Sequence, residues 1–114
     1  MKKLTKDEDA PSSRHRVGTL NGYFYNDLIQ AFGDPTYLPK HSGDGKVQYE
    51  WVFEYDEQVF SIYDYKTYDK EYTETMLETW SVGGTTSPLF FIHKIVSHIK
   101  HSNKKRDGII NTKW

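Results

Sequence analysis

The clearest pattern along the chain has a period of two. Val47, Tyr49, Trp51, Phe53 and Tyr55 alternate with Gln48, Glu50, Val52 and Glu54, which predicts a strand over 47–55. Asp56, Glu57 and Gln58 supply a short polar turn, and residues 59–66 return as a second strand. So tight a link predicts an antiparallel hairpin. Upstream the period changes to that of a helix. Tyr25, Leu28, Ile29 and Phe32 recur at i, i+3, i+4 and i+7, one apolar stripe of a helix over 22–32. Asn21 is the expected N-cap. Gly33 is the expected C′ residue, and Pro35 forbids continuation. Residues 34–46, with Leu38-Pro39 and Gly43-Asp44-Gly45, read as a loop.

Beyond the hairpin, residues 67–77 are polar and tyrosine-rich and are expected to loop outward. Residues 78–82 read as a third strand, stopped by Gly83 and Gly84. Ser87 then caps a second helix with Pro88 at its first position. Its expected buried face is Leu89, Ile92, Val96 and Ile99, with Ile95 beside them; Lys100, Lys104 and Lys105 lie near its end, where cations suit the helix dipole. The order α-β-β-β-α predicts an α+β fold, a three-stranded antiparallel sheet with two helices packed on one face. The expected core is Leu28, Phe32, Trp51, Phe53, Ile62, Trp80, Ile92 and Val96. Residues 1–18, with Pro11-Ser12-Ser13, read as a polar disordered arm. Residues 19–101 form a single α+β domain, and 102–114 a basic C-terminal tail in which Ile109, Ile110 and Trp114 are the apolar exceptions.

Four short motifs occur together: Ala31-Phe32-Gly33-Asp34-Pro35, Tyr49-Glu50-Trp51-Val52-Phe53, Ser61-Ile62-Tyr63-Asp64-Tyr65-Lys66 and Trp80-Ser81-Val82-Gly83-Gly84. This set, spanning about residues 19–98, resembles small uncharacterised proteins carried by tailed phages and other large DNA viruses. The resemblance implies a viral accessory protein, placed in the host cytoplasm or the virion, and it brings no catalytic residues with it. The start of the domain, a helix followed by Gly33, Pro35, a loop and a tryptophan-bearing strand, is also similar to the small modules of β-lactamase-inhibitor-like proteins. That second likeness concerns fold alone.

Charge is sorted along the chain. Residues 21–99 hold 12 acidic against 5 basic side chains, while residues 1–20 carry a net +2 and residues 100–114 a net +4. The acidic middle also holds all nine tyrosines and all six phenylalanines. A chain of 114 residues bounds one domain. Without cysteine there is no disulfide framework, zinc knuckle or thiol nucleophile, which fits a reducing compartment. No apolar h-region opens the chain, so no secretory signal is expected. No apolar run approaches ~18 residues, so no membrane span is expected.

With Trp51 and Phe53 toward the helices, Gln48, Glu50, Val52 and Glu54 take the opposite face, joined by Ser61, Tyr63 and Tyr65. An uncovered face of this kind suits a protein partner, because tyrosine offers large contact area at small entropic cost. The expected partner-binding residues are Glu50, Glu54, Tyr63, Asp64, Tyr65 and Glu71, the last within an acidic loop over 67–78. The plain alternatives are a solvated face, or one covered by an arm or by a second subunit in a homo-oligomer. Glu50 and Glu54 repel phosphate, which leaves nucleic acid to the basic tails: Lys2, Lys3, Lys6, Arg14 and Arg16 at one end, Lys100, Lys104, Lys105 and Arg106 at the other. Asp56, Glu57, Asp64, Asp69, Glu71, Glu74 and Glu78 would also complement the basic groove of a nuclease or polymerase, with Lys66 and Lys70 interrupting them.

Gly83, Gly84, Thr85, Thr86 and Ser87 lie between a strand and a helix N-terminus, a candidate site for an anion or nucleotide. The segment lacks P-loop and G-x-G-x-x-G spacing, and capping alone explains Thr86 and Ser87. His98 and His101 are neighbours on the second helix, with His93 below them, but a two-histidine site needs a further ligand; no metal and no cofactor are expected. Asp64 beside Tyr63 and Tyr65 has no paired group for acid–base work, so no enzyme is expected. The sequence therefore reads as a non-enzymatic domain that binds a host or viral protein, counter-defence being one such role. The alternatives are a nucleotide or nucleic-acid binder and a minor virion component.

Overall fold

The computed structural model describes residues 1–9, 14–39 and 46–111, with side chains as far as 102. Pro11, Ser12 and Ser13, the Gly43-Asp44-Gly45 turn, and the side chains of Lys104, Lys105, Arg106, Ile109, Ile110 and Trp114 lie outside the described residues. Among the described residues the elements are β1 Lys2–Lys3, β2 His15–Asn21, α1 Tyr25–Phe32, β3 Glu50–Tyr55, β4 Gln58–Tyr63, α2 Lys70–Thr75, β5 Thr79–Gly84 and α3 Leu89–Asn111. The fold is α+β. The sheet is antiparallel and five-stranded, ordered β1-β3-β4-β5-β2.

The expected three-strand, two-helix layout is thus corrected to five strands and three helices among the described residues. The three expected strands form the centre; β1 and the first four residues of β2 come from the segment read as a polar arm, and β2 runs on to Asn21. β1 is two residues long and leaves no periodicity to read. β2 hides its own period, because a bulge between Arg16 and Gly18 shifts the register. Val17 and Leu20 consequently both pack against the core. Gly18 is required there by close approach: a Cβ would lie 3.0 Å from Pro88 Cγ and 3.3 Å from Ile92 Cδ1 of α3.

In the hairpin, Trp51 opposes Ile62 and Phe53 opposes Phe60, and Ile62 in turn opposes Val82. All five side chains are buried on the face covered by α1 and α3. The link between β3 and β4 is a two-residue turn whose residues both have left-handed backbone, Asp56 at φ 52° and Glu57 at φ 61°. Such a turn favours Asn-Gly, since L side chains cost about 1–2 kcal/mol in this region. Glu57→Gly is therefore expected to raise stability by about 0.5–1 kcal/mol after the entropic cost of glycine. Thermal melts would check this, and an unchanged or lower midpoint would contradict it.

α1 begins later than expected. Asn21 ends β2, the chain turns at Gly22 (φ 89°), and Asp27 accepts the backbone N–H of Phe24 at 2.8 Å. The helix stops at Gly33 (φ 75°), whose N–H reaches the Ile29 carbonyl. Two core indoles hold its two ends. Trp80 Nε1 donates to the Tyr23 carbonyl at 2.8 Å, and Trp51 Nε1 donates to the Gly33 carbonyl at 3.0 Å. α3 buries Phe91, Ile95 and Ile99, flanked by half-buried Ile92 and Val96. The expected inclusion of Leu89 is corrected: it is 68% exposed. Leu89, Phe90, Phe91 and Ile92 are consecutive, and one helix face cannot hold all four.

Candidate functional site

Asp64 is the hub of the segment that follows β4. Its carboxylate is fully buried, at 0% exposure. Oδ1 accepts the N–H groups of Gln48 and Tyr49 at 2.8 and 2.9 Å, and Oδ2 accepts the hydroxyls of Thr67 and Thr73 at 3.0 and 2.6 Å. Asp69 caps α2 by accepting the Glu71 N–H at 3.0 Å, and the Lys66 N–H meets the Lys46 carbonyl at 2.7 Å. So anchored, the backbone takes the left-handed conformation at Lys66 (φ 57°) and Tyr68 (φ 54°). For a bulky residue such as Tyr68 that conformation is a true outlier. The outcome is a run of large exposed side chains: Tyr65, Tyr68 (61% exposed), Tyr72 and Met76, with Glu71 among them. Lys66 Nζ lies 5.3 Å from the Tyr65 ring centroid.

The residues expected to bind a partner do not form one surface. Tyr63 and Tyr65 meet edge to face at 6.3 Å, and Glu50 opposes Tyr63 in the ladder. Glu54 lies four residues further along β3, opposite Val59 and Lys2. Asp64 is corrected from a surface residue to a buried structural one, since a carboxylate among four donors has no lone pair left to offer. Glu71 is exposed in the first turn of α2, where its charge suits the helix dipole. Tyr68, Tyr72 and Met76 were not singled out from sequence. The tyrosine-rich stretch was visible, but neither left-handed position carries the glycine or asparagine that marks one.

The face opposite the helices, expected to be open, is shielded at its centre: Val52, Ser61, Ser81 and Gly83 are buried. β1 and β2 occupy opposite edges of the sheet. Between them in sequence, Asp9 and Arg14 form a bidentate pair at 3.0 and 3.1 Å with side chains 1% and 12% exposed. Tyr37 donates its hydroxyl to Asp9 at 2.7 Å, and Tyr37 bridges to Glu50 through the backbone. Burial pushes the Asp9 carboxyl up, but the hydrogen bonds from Arg14 and Tyr37 outweigh it and hold it below the ordinary value. Burial raises Glu50.

Several phenols are held above the ordinary tyrosine value. Burial and the bond to Asp9 push Tyr37 up to about 12. Burial, then the bond to Glu74 at 2.8 Å, raises Tyr49, and burial raises Tyr25 and Tyr63. A raised folded value stabilises the protonated form, so this contribution is whole below about pH 10 and is lost as pH rises through the folded value. Circular dichroism on alkaline titration is expected to show unfolding as pH climbs from about 10 toward 12, with a shallower slope in Tyr37→Phe. A signal flat to pH 12 would contradict this.

The candidate anion site is divided between two environments. Gly83 and Gly84 lie inside β5, paired with Arg16 and His15, and Gly83 pairs on its other side with Ser61. Their lack of a side chain answers to packing: a Cβ on Gly83 would come within 2.6 Å of Ser61 Oγ, and one on Gly84 within 2.9 Å of Phe60 Cδ1. Only Thr85, Thr86 and Ser87 remain outside the strand, all exposed. On α3, His98 stacks on Phe32 at 5.0 Å and its Nε2 lies 3.0 Å from the Ala31 carbonyl, so it docks α3 onto α1. Among the described residues no group of three histidine or carboxylate side chains is placed to hold a metal, and no helix is long and apolar enough to cross a membrane. No family model matches the chain, and neither a curated protein nor a solved structure matches it.

Proposed function

We propose that this chain is a non-enzymatic viral accessory protein whose 65–76 segment binds a host or viral protein through Tyr65, Tyr68, Tyr72 and Glu71. The observation that carries the reading is Tyr68 itself. A buried carboxylate and two threonines hold a bulky aromatic residue in left-handed backbone, with its ring exposed. Conformations of this kind cost of order 1–3 kcal/mol and gather where a loop is shaped for recognition. Exposed tyrosines and a methionine are side chains that protein interfaces favour, and Glu71 beside them would lie at the polar rim. The motif resemblance supplies the viral origin, and with it the host cytoplasm or the virion as the place of action.

The test is affinity capture from nuclease-treated lysate of infected cells at low and high salt. It compares the native chain with Tyr65→Ser/Tyr68→Ser/Tyr72→Ser. The expected result is a stoichiometric protein that survives high salt on the native chain and is lost from the variant, while the thermal midpoint moves little. Equal capture by both would remove the reading, as would recovery of no protein here and of nucleic acid alone when the nuclease is left out.

A further inference from the structure

At the other end of β4, away from Tyr65 and Tyr68, the Asp56–Glu57 turn meets the start of α3 around a cavity of about 310 Å3. Its floor is Phe60 and Phe91, both buried and stacked at 4.5 Å with their planes 10° apart. Tyr55 forms a wall, 6.5 Å from the Phe91 ring. Phe90, 75% exposed, and Leu89 form the outer shelf. The one carboxylate in the lining is Asp56. Among the described residues its carboxylate makes no hydrogen bond or ion pair, and no lysine, arginine or histidine lines the space.

Aromatic rings with a free carboxylate and no internal cation are what an ammonium or guanidinium group seeks. Ring faces attract the cation, and the carboxylate pairs with it. The α3 N-terminus opposes this with roughly half a positive charge, but Asp56 and the adjacent Glu57 set two full negative charges against it. The volume sits at the small end of ligand pockets, fit for a side chain rather than a large ligand. The exposed Leu89 and Phe90 extend the contact past any single head group, which selects a polypeptide over a free amine. We infer that this cavity receives a lysine or arginine side chain of a partner polypeptide whose neighbouring apolar residues rest on Leu89 and Phe90.

The test is an NMR titration of the 15N-labelled full chain with three probes: the capped tripeptide Val-Lys-Val, its neutral counterpart with norleucine for lysine, and butylammonium. Saturable shifts of the Phe60, Thr86, Ser87 and Phe91 amides are expected with the lysine peptide, and binding about fivefold weaker with the norleucine peptide. Asp56→Asn should erase that difference without lowering the thermal midpoint, since asparagine suits the left-handed turn, and Phe90→Ala should weaken the lysine peptide. Equal affinity for lysine and norleucine peptides would overturn the inference in favour of a purely apolar groove. Butylammonium binding as tightly as the peptide would overturn the polypeptide source. Absence of shifts at these amides up to tens of millimolar would overturn the site.

Discussion

Arg14→Ala is expected to cost about 3–5 kcal/mol, a large share of the 5–15 kcal/mol that holds a small domain together. The loss does not come from the attraction of the ion pair itself. It comes from what is left behind: an Asp9 carboxylate 1% exposed, deprived of both guanidinium bonds and keeping only the Tyr37 hydroxyl. Replacing the pair with apolar groups of similar volume removes that penalty, so Asp9→Leu/Arg14→Met should recover most of the stability lost by Arg14→Ala. Urea unfolding midpoints for the native chain and both variants decide the matter. If the double variant is as unstable as the single one, the pair does more than neutralise a buried charge. If Arg14→Ala is neutral, the Asp9 carboxylate does not depend on the guanidinium and this account of the pair fails.

Asp64→Ala is expected to be as costly, about 3–5 kcal/mol, by a different route. The substitution removes the carboxylate acceptor of the Gln48 and Tyr49 N–H groups and leaves the Thr67 and Thr73 hydroxyls with only each other and the Asp69 carbonyl. Each unsatisfied buried donor costs about 1–3 kcal/mol. Asp64→Asn is the sharper probe. It keeps the size and one acceptor oxygen but turns an NH2 toward groups that also need to donate, so it should recover only part of the loss. The same variants should free Lys66 and Tyr68 from left-handed backbone, because the carboxylate bonds that anchor the segment are gone. Unfolding midpoints give the energy, and proteolysis at residues 65–70 gives the loosening. A stable Asp64→Ala with an unchanged cleavage rate would sink this account of the loop.

What the sequence disclosed and withheld divides along physical lines. β3 was legible because the aromatic residues Tyr49, Trp51, Phe53 and Tyr55 alternate with Gln48, Glu50, Val52 and Glu54, of which only Val52 is apolar, and this leaves a period of two on the page. α1 and α3 were legible from their apolar spacing, although four successive apolar residues at the start of α3 hid which of them face water. β1 and β2 were not legible. Edge strands need few apolar residues, and the bulge at Val17 and Gly18 breaks the alternation that a strand would show. The expectation of an open face around Glu50 and Glu54 follows from that omission, because a sheet without its edge strands looks uncovered. Asp64 shows a different limit: sequence gives an acidic residue between two tyrosines, while its hydrogen bonds depend on the Gln48–Tyr49 segment and on Thr73 arriving from two other places in the chain.

The two indole bonds that clasp α1 also decide how the domain comes apart. An eight-residue helix does not persist alone in water, and here its first and last turns are each tied to a tryptophan whose ring lies 5.7 Å from the other in an edge-to-face pair. Undocking the helix therefore strips both indoles of their acceptors at once. In a Trp114→Phe background the emission of Trp51 and Trp80 becomes a single optical reporter of that event. Its denaturation curve should superimpose on the one from the sheet's far-ultraviolet signal, and amide exchange in α1 should proceed only as fast as the whole domain opens.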